Sequence, residues 1–467
     1  MLNLQLKSLF KLMLFLSLSA NNTYAAGSKS KKESKNERTK NSLGIQFEVH
    51  EEVLDNGLKV LVVENKKTPV FSFYSYYQVG SKFELAGATG SSHLLEHMMF
   101  KGAKKYGENV FDKIVSGNGG QNNAYTTNDL TVYYEMLPSE HFEKIADVEA
   151  DRMQNLLLET SSFEKERYVV LEERKLRYEN SDRGKLYLNM MKEMFVGTPY
   201  GSSVIGEVED LKTISREKVL DYFKKFYAPN NAVVLVVGDL EHEDVFRIMR
   251  KKFGKIKKNP DLEKQKREII AKKGFDWKVK LPREVKLKGT SPTPTFFLAF
   301  KGVKIGERDG FALDLLSSVL GDGESSFLNR EFVISKKPEL SSIYAANMTI
   351  QESGVFFIGG KLLEGVKLEK VHKDLKKSLA KACDSALSER AVQKVKNQYL
   401  YSLMANLDTN SGIAEFLGNR EVYYGDYNFY KKEMEVYDSI GLDELKATCE
   451  KYIKNQPALL LSIWKEN

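Results

Sequence analysis

Residues 90–99 read GSSHLLEHMM, and no other segment constrains the chain's interpretation as tightly. Gly90-Ser91-Ser92 supplies an N-cap, so the residues from Ser92 through Met99 are predicted to be helical. On a helix, residues four apart share a face with side chains roughly 6 Å apart, so His93 and His97 can bracket one metal ion. Zinc takes imidazole nitrogens at about 2.0–2.1 Å, which two such side chains can meet together. Glu96 can lean toward the open side of that metal and reach a water without ligating, as a general base must. The chain has only six histidines in 467 residues, so this spacing is improbable by chance.

A catalytic zinc needs a third protein ligand and a position left for water. Residues 163–176, FEKERYVVLEERKL, offer candidates. Glu166 and Glu173 are seven apart and share a helical face, whereas Glu172 points about 100° away. Acids on a charged helix are usually solvated, so the residues alone leave the third ligand open.

Around this core the composition is ordinary for a globular protein, 42% hydrophobic and 29% charged, and the length favours at least two domains. Asp55-Asn56-Gly57 between Val53–Leu54 and Lys59–Val63 signals a hairpin. Strands are predicted at 71–79, 123–137 and 232–237. Helices are predicted at 139–158, 162–178, 218–227 and 242–253. The Lys-rich stretch 256–290 shows little periodicity and reads as a linker between domains at 45–255 and 291–467. Beyond it the same kinds of element return, with strands at 294–300, 343–350, 354–359 and 458–463. Helices at 310–320, 368–382, 389–406 and 442–453 accompany them. The expectation is an α+β fold of two halves related by duplication.

Lys7 and Lys11 precede an apolar run, Leu12 to Leu18, and the small residues Thr23, Ala25 and Ala26 follow. This order predicts a secretory signal peptide at 1–26, hence an exported, periplasmic or secreted protein. Residues 27–44 read as a disordered basic tether. With Lys7, Lys11 and the +4 of residues 29–40 set aside, the net charge of +7 falls to about +1 for the body. Nothing in that balance points to nucleic acid as a partner, and no internal run is long and apolar enough to span a bilayer. Cys383 and Cys449 are the only cysteines; pairing and two separate thiols both remain open.

Five segments in order carry a family resemblance: HLLEHMMFKG (93–102), GGQNNAYTTNDLTVYYEML (119–137), VVLEERKLRYEN (169–180), PYGSSVIGEVEDL (199–211) and YAPNNAVVLVVGDL (227–240). Together they resemble the pitrilysin/insulinase family of zinc metallopeptidases with an inverted HxxEH motif, close to bacterial relatives of the mitochondrial processing peptidase β subunit. The resemblance implies one Zn2+ held by His93, His97 and Glu173, with Glu96 as catalytic base and Glu166 as a supporting acid. It implies that Asn123, Ala124 and Thr126 lie where a peptide substrate adds as a strand. It also implies two homologous halves, each a mainly antiparallel sheet packed with helices, arranged as a clamshell. Active relatives place an Arg and a Tyr seven apart near the substrate, yet those positions here hold Ser335 and Ser342, while Arg330 and Tyr344 have the wrong spacing. The chain is therefore expected to act as a homodimer, or as a heterodimer with a same-fold subunit bearing that pair. A non-catalytic peptide-binding subunit is the alternative.

Overall fold

The computed structural model describes residues 45–274 and 277–465, so the expected signal peptide (1–26) and tether (27–44) lie outside the described residues. Two mixed sheets organise the chain. The first comprises β1 (His50–Val53), β2 (Lys59–Glu64), β3 (Val70–Tyr77), β4 (Gln121–Thr126), β5 (Thr131–Pro138) and β6 (Ala232–Gly238), in the order β1-β2-β6-β3-β5-β4. The second comprises β7 (Arg283–Lys288), β8 (Thr295–Lys301), β9 (Leu340–Thr349), β10 (Gly354–Leu362) and β11 (Leu459–Trp464), in the order β7-β11-β8-β10-β9. In the first sheet only β2 and β6 pair in parallel, and in the second only β7 and β11. Every other pairing is antiparallel. The strand orders superimpose once β1 is set aside, which makes the duplication a property of topology.

The central strands are apolar on both faces because both faces are covered. All seven residues of β6, AVVLVVG, are buried. One face of the first sheet packs on its own half's helices, including Phe142–Asn155 and Arg216–Phe226. The other is sealed by Ile413, Phe416 and Leu417 from the second-half helix Asn410–Tyr424. Gly418 of that helix permits the approach, since a Cβ there would lie 2.3 Å from the Tyr76 ring. The arrangement is reciprocal. Leu186, Met190 and Met194 of the first-half helix Asp182–Met194 seal the second sheet against Phe297, Leu459 and Leu461.

Three expectations need correction. The single strand expected at 123–137 is a hairpin, β4 and β5, folded at Thr127, whose hydroxyl accepts from the backbone N–H groups of Asp129 and Leu130. The stretch 256–290 is not a bare linker. It carries the helix Leu262–Lys273, which buries Leu262 and Ile269, and the edge strand β7. Edge position explains the missing signal, because β7 alternates only between exposed and half-buried residues. Finally, Ser91 and Ser92 do not cap their helix. The open question about the cysteines is answered by a Cys383–Cys449 disulfide, Cα atoms 5.4 Å apart.

Candidate active site

The motif folds as the helix Ser91–Met98, held between the helix Thr160–Arg174 and the edge strand β4. Its first turn is capped from outside. Glu84 is buried, and its carboxylate accepts from the backbone N–H groups of Gly90 at 2.8 Å and Ser92 at 2.7 Å. A carboxylate there meets the positive end of the helix and two of its orphan donors. Burial pushes the Glu84 carboxyl up to about 7 against the pull of those bonds. Gly90 has φ 86, a left-handed conformation that favours glycine, and a Cβ there would meet the Ile205 carbonyl at 2.8 Å. The serines bond elsewhere, Ser91 to the Ala88 carbonyl and Ser92 with the Tyr222 hydroxyl.

The His93 and His97 rings stand 4.8 Å apart, both Nε2 atoms turned toward one oxygen of Glu173. Oε2 of Glu173 lies 3.8 Å from Nε2 of His93 and 3.3 Å from Nε2 of His97. Ligand atoms on a tetrahedral zinc are about 3.3 Å apart, so one pair already matches and the other is a few tenths of an ångström wide. The donor set, two imidazoles and a carboxylate, suits zinc with a coordination position to spare. Glu172 is solvated and pairs with Lys175, which removes it as a candidate ligand.

The charges around these donors favour a cation. Burial opposes a proton on His97, but Glu166 and Glu173 outweigh it and raise the imidazole to about 10. Burial likewise opposes the Glu173 carboxylate, yet His97, His93 and Arg177 hold it at about 2. An ion facing both Nε2 atoms would take the place of the proton that those acids demand. His93 is already in ligand form, because burial lowers its imidazole to about 4.

The remaining contacts orient these groups. Nδ1 of His97 lies 3.1 Å from Glu166, whose other oxygen takes Lys101 at 2.6 Å. An N–H donated to Glu166 leaves Nε2 of His97 free for a metal, the usual carboxylate–histidine arrangement. Arg177 grips the second oxygen of Glu173 at 2.9 Å. On the open side, the Thr126 hydroxyl donates to Glu96 at 2.5 Å, and burial pushes the Glu96 carboxyl up to about 7. Asn123 and Ala124 lie on the same edge strand, and the Asn123 side chain accepts from the Ala124 N–H at 2.9 Å. Sequence reasoning missed Glu84, Lys101 and Arg177. The last two follow a site residue by four positions on a helical turn, a spacing that could have nominated them.

In the second half, Ser342 is exposed on β9 and Ser335 follows the helix Phe327–Phe332. Arg330 is exposed, while the Tyr344 ring sits under the Arg183 guanidinium, 5.0 Å from its centroid, beside Phe297 and Phe357.

Residues 59–208 match the family model described as insulinase (peptidase family M16), and residues 213–399 match the peptidase M16 inactive domain. The chain is 33% identical over 382 residues to zinc protease PqqE of Helicobacter pylori, covering 78% of this chain and 82% of that protein. It is 26% identical to a probable mitochondrial-processing peptidase subunit beta of Arabidopsis thaliana, covering 88% and 77%. A crystal structure of a protease from Helicobacter pylori superimposes with a TM-score of 0.80 at 28% identity, over 90% of this chain and all of that one. The chain belongs to the insulinase family of peptidases, family M16.

Proposed function

We propose that this protein is a zinc-dependent endopeptidase acting on unfolded peptides. The observation that carries the reading is the convergence of His93, His97 and Glu173 on one point, with Glu96 half-buried beside it. Zinc, when bound, would polarise a water and the scissile carbonyl. Glu96 takes the proton of the attacking water and hands it to the leaving amine. Thr126 holds that carboxylate on the substrate side, Glu166 and Lys101 keep His97 in one tautomer, and Arg177 fixes Glu173. The substrate adds as a strand beside Asn123, Ala124 and Thr126, where main-chain pairing tolerates many sequences.

The proposal extends to setting. An oxidising compartment suits the Cys383–Cys449 disulfide and agrees with an export signal at 1–26. Ser335 and Ser342 in place of an Arg/Tyr pair favour a same-fold partner that supplies it. One observation favours a second reading, a non-catalytic peptide-binding subunit: the latter part of the chain matches a domain described as inactive. Digestion of a quenched fluorescent peptide library separates the two. Cleavage that a chelator abolishes and zinc restores, by the chain alone or with a partner subunit, supports the peptidase. Zinc-loaded protein that binds peptides and never cuts them, alone or partnered, supports the binding subunit.

A further inference from the structure

We propose that His50, Glu64 and His242 form a second metal site, separate from the one above, for a borderline divalent ion such as zinc. His50 opens β1, Glu64 closes β2, and His242 is the first residue of the helix His242–Phe253. One ligand atom from each lies within 4.8 Å of the others. The two imidazoles stack face to face, centroids 3.6 Å apart and 5° from parallel. Oε1 of Glu64 accepts from Nδ1 of His242 at 2.7 Å and from its backbone N–H at 2.9 Å. Two further carboxylates attend the rings, Glu48 at 3.9 Å from Nε2 of His50 and Glu243 at 3.8 Å from Nε2 of His242. Among the described residues Lys66 is the one lysine or arginine paired with Glu64, 3.7 Å away, and it is shared with Asp239 and Glu241.

Two imidazoles and a carboxylate form a borderline donor set that suits zinc. Parallel rings aim their nitrogens side by side, so an ion requires the rings to swing apart about their own side-chain torsions. They have room, because all three residues are half-buried on the wall of a cavity of about 450 Å³. Leu407 and Ile413 of the second half line the same cavity. Three residues before His50, Phe47 packs on Phe416 and Tyr430, ring centroids 6.1 and 5.7 Å away. An ion at His50 thus pins the start of β1 and the segment before it that packs on the second half, and braces the two halves away from the chemistry.

Equilibrium dialysis of the untagged protein against zinc tests this. The expected result is two zinc ions per chain for wild type and one for the His50→Gln/His242→Gln variant, with its peptidase rate unchanged. A His93→Ala/His97→Ala variant should keep one ion and still gain thermal stability when zinc is added. A single ion in wild type that survives His50→Gln/His242→Gln overturns the second site. Wild-type stoichiometry in His93→Ala/His97→Ala would instead count against the first.

Discussion

The two sheets share a strand order, and in each a helix packs against the edge strand, β4 in the first half and β9 in the second. Their chemistry differs completely. The first-half helix, Ser91–Met98, brings two imidazoles and a carboxylate to a third element that carries Glu173. The second-half helix, Arg308–Gly321, buries Phe311, Leu313, Leu315, Leu316, Val319 and Leu320, and closes its one inward acid, Asp314, with donors. Asn347 and Tyr437 each donate to Asp314 at 2.8 Å, and burial pushes its carboxyl up to about 6. A duplicated scaffold therefore fixes where a helix meets an open strand edge, while a few side chains decide whether acids there meet cations or are sealed. Reciprocal packing gives the second half a structural role although it has no metal-binding cluster of its own among the described residues. Its helix Asn410–Tyr424 forms the outer cover of the sheet that carries the site.

The largest effects are expected at the candidate metal ligands. Glu173→Ala should abolish tight zinc binding and lower kcat/KM by at least about 10³-fold, since it removes a ligand and leaves His97 short of a partner; metal analysis with peptide kinetics checks both. Glu166→Gln keeps all three ligands and should cost about 10- to 100-fold in zinc affinity or rate, read by competition with a chromogenic chelator. Thr126→Val removes one hydrogen bond to a carboxylate, worth about 1.5–3 kcal/mol. At the low end of that range it should lower kcat about 10-fold, with KM nearly unchanged.

Asp314→Asn is the counterpart in the second half and should leave zinc and rate within about 2-fold. Its effect belongs to stability. The folded-state pKa of Asp314 is raised to about 6, so its contribution is fully present below the unfolded value near 4 and is lost as pH rises through 6. Thermal melts between pH 4 and 7 should show wild type losing stability over that window and the variant following a flatter curve.

Much of this was legible in the sequence, for reasons that differ by element. His93, Glu96 and His97 sit on one helix, so their spacing alone states their geometry. Glu166 and Glu173 share a face legibly, but which one faces both Nε2 atoms depends on how two helices pack, and the residues by themselves left it open. Glu84 was invisible because it caps a helix through a loop that doubles back, with no local pattern to mark it. The helix Asp182–Met194 is stabilised by a sheet whose strands come from the second half, so its Met-rich buried face has no partner nearby in sequence. The hairpin at Thr127 was hidden because strand-like residues flank Asn128-Asp129 on both sides. The strand order showed the duplication that the return of the same kinds of element had suggested.

In the proposed mechanism Glu96 does proton chemistry beside a metal it does not hold. Glu96→Gln is nearly isosteric and can still accept from Thr126, so zinc content and peptide-cleavage rate measured on the same preparation isolate the proton. The expected result is one catalytic zinc retained at wild-type affinity and kcat lowered by about 10²- to 10⁴-fold. A variant that cleaves at the wild-type rate, or that loses its zinc, would contradict it.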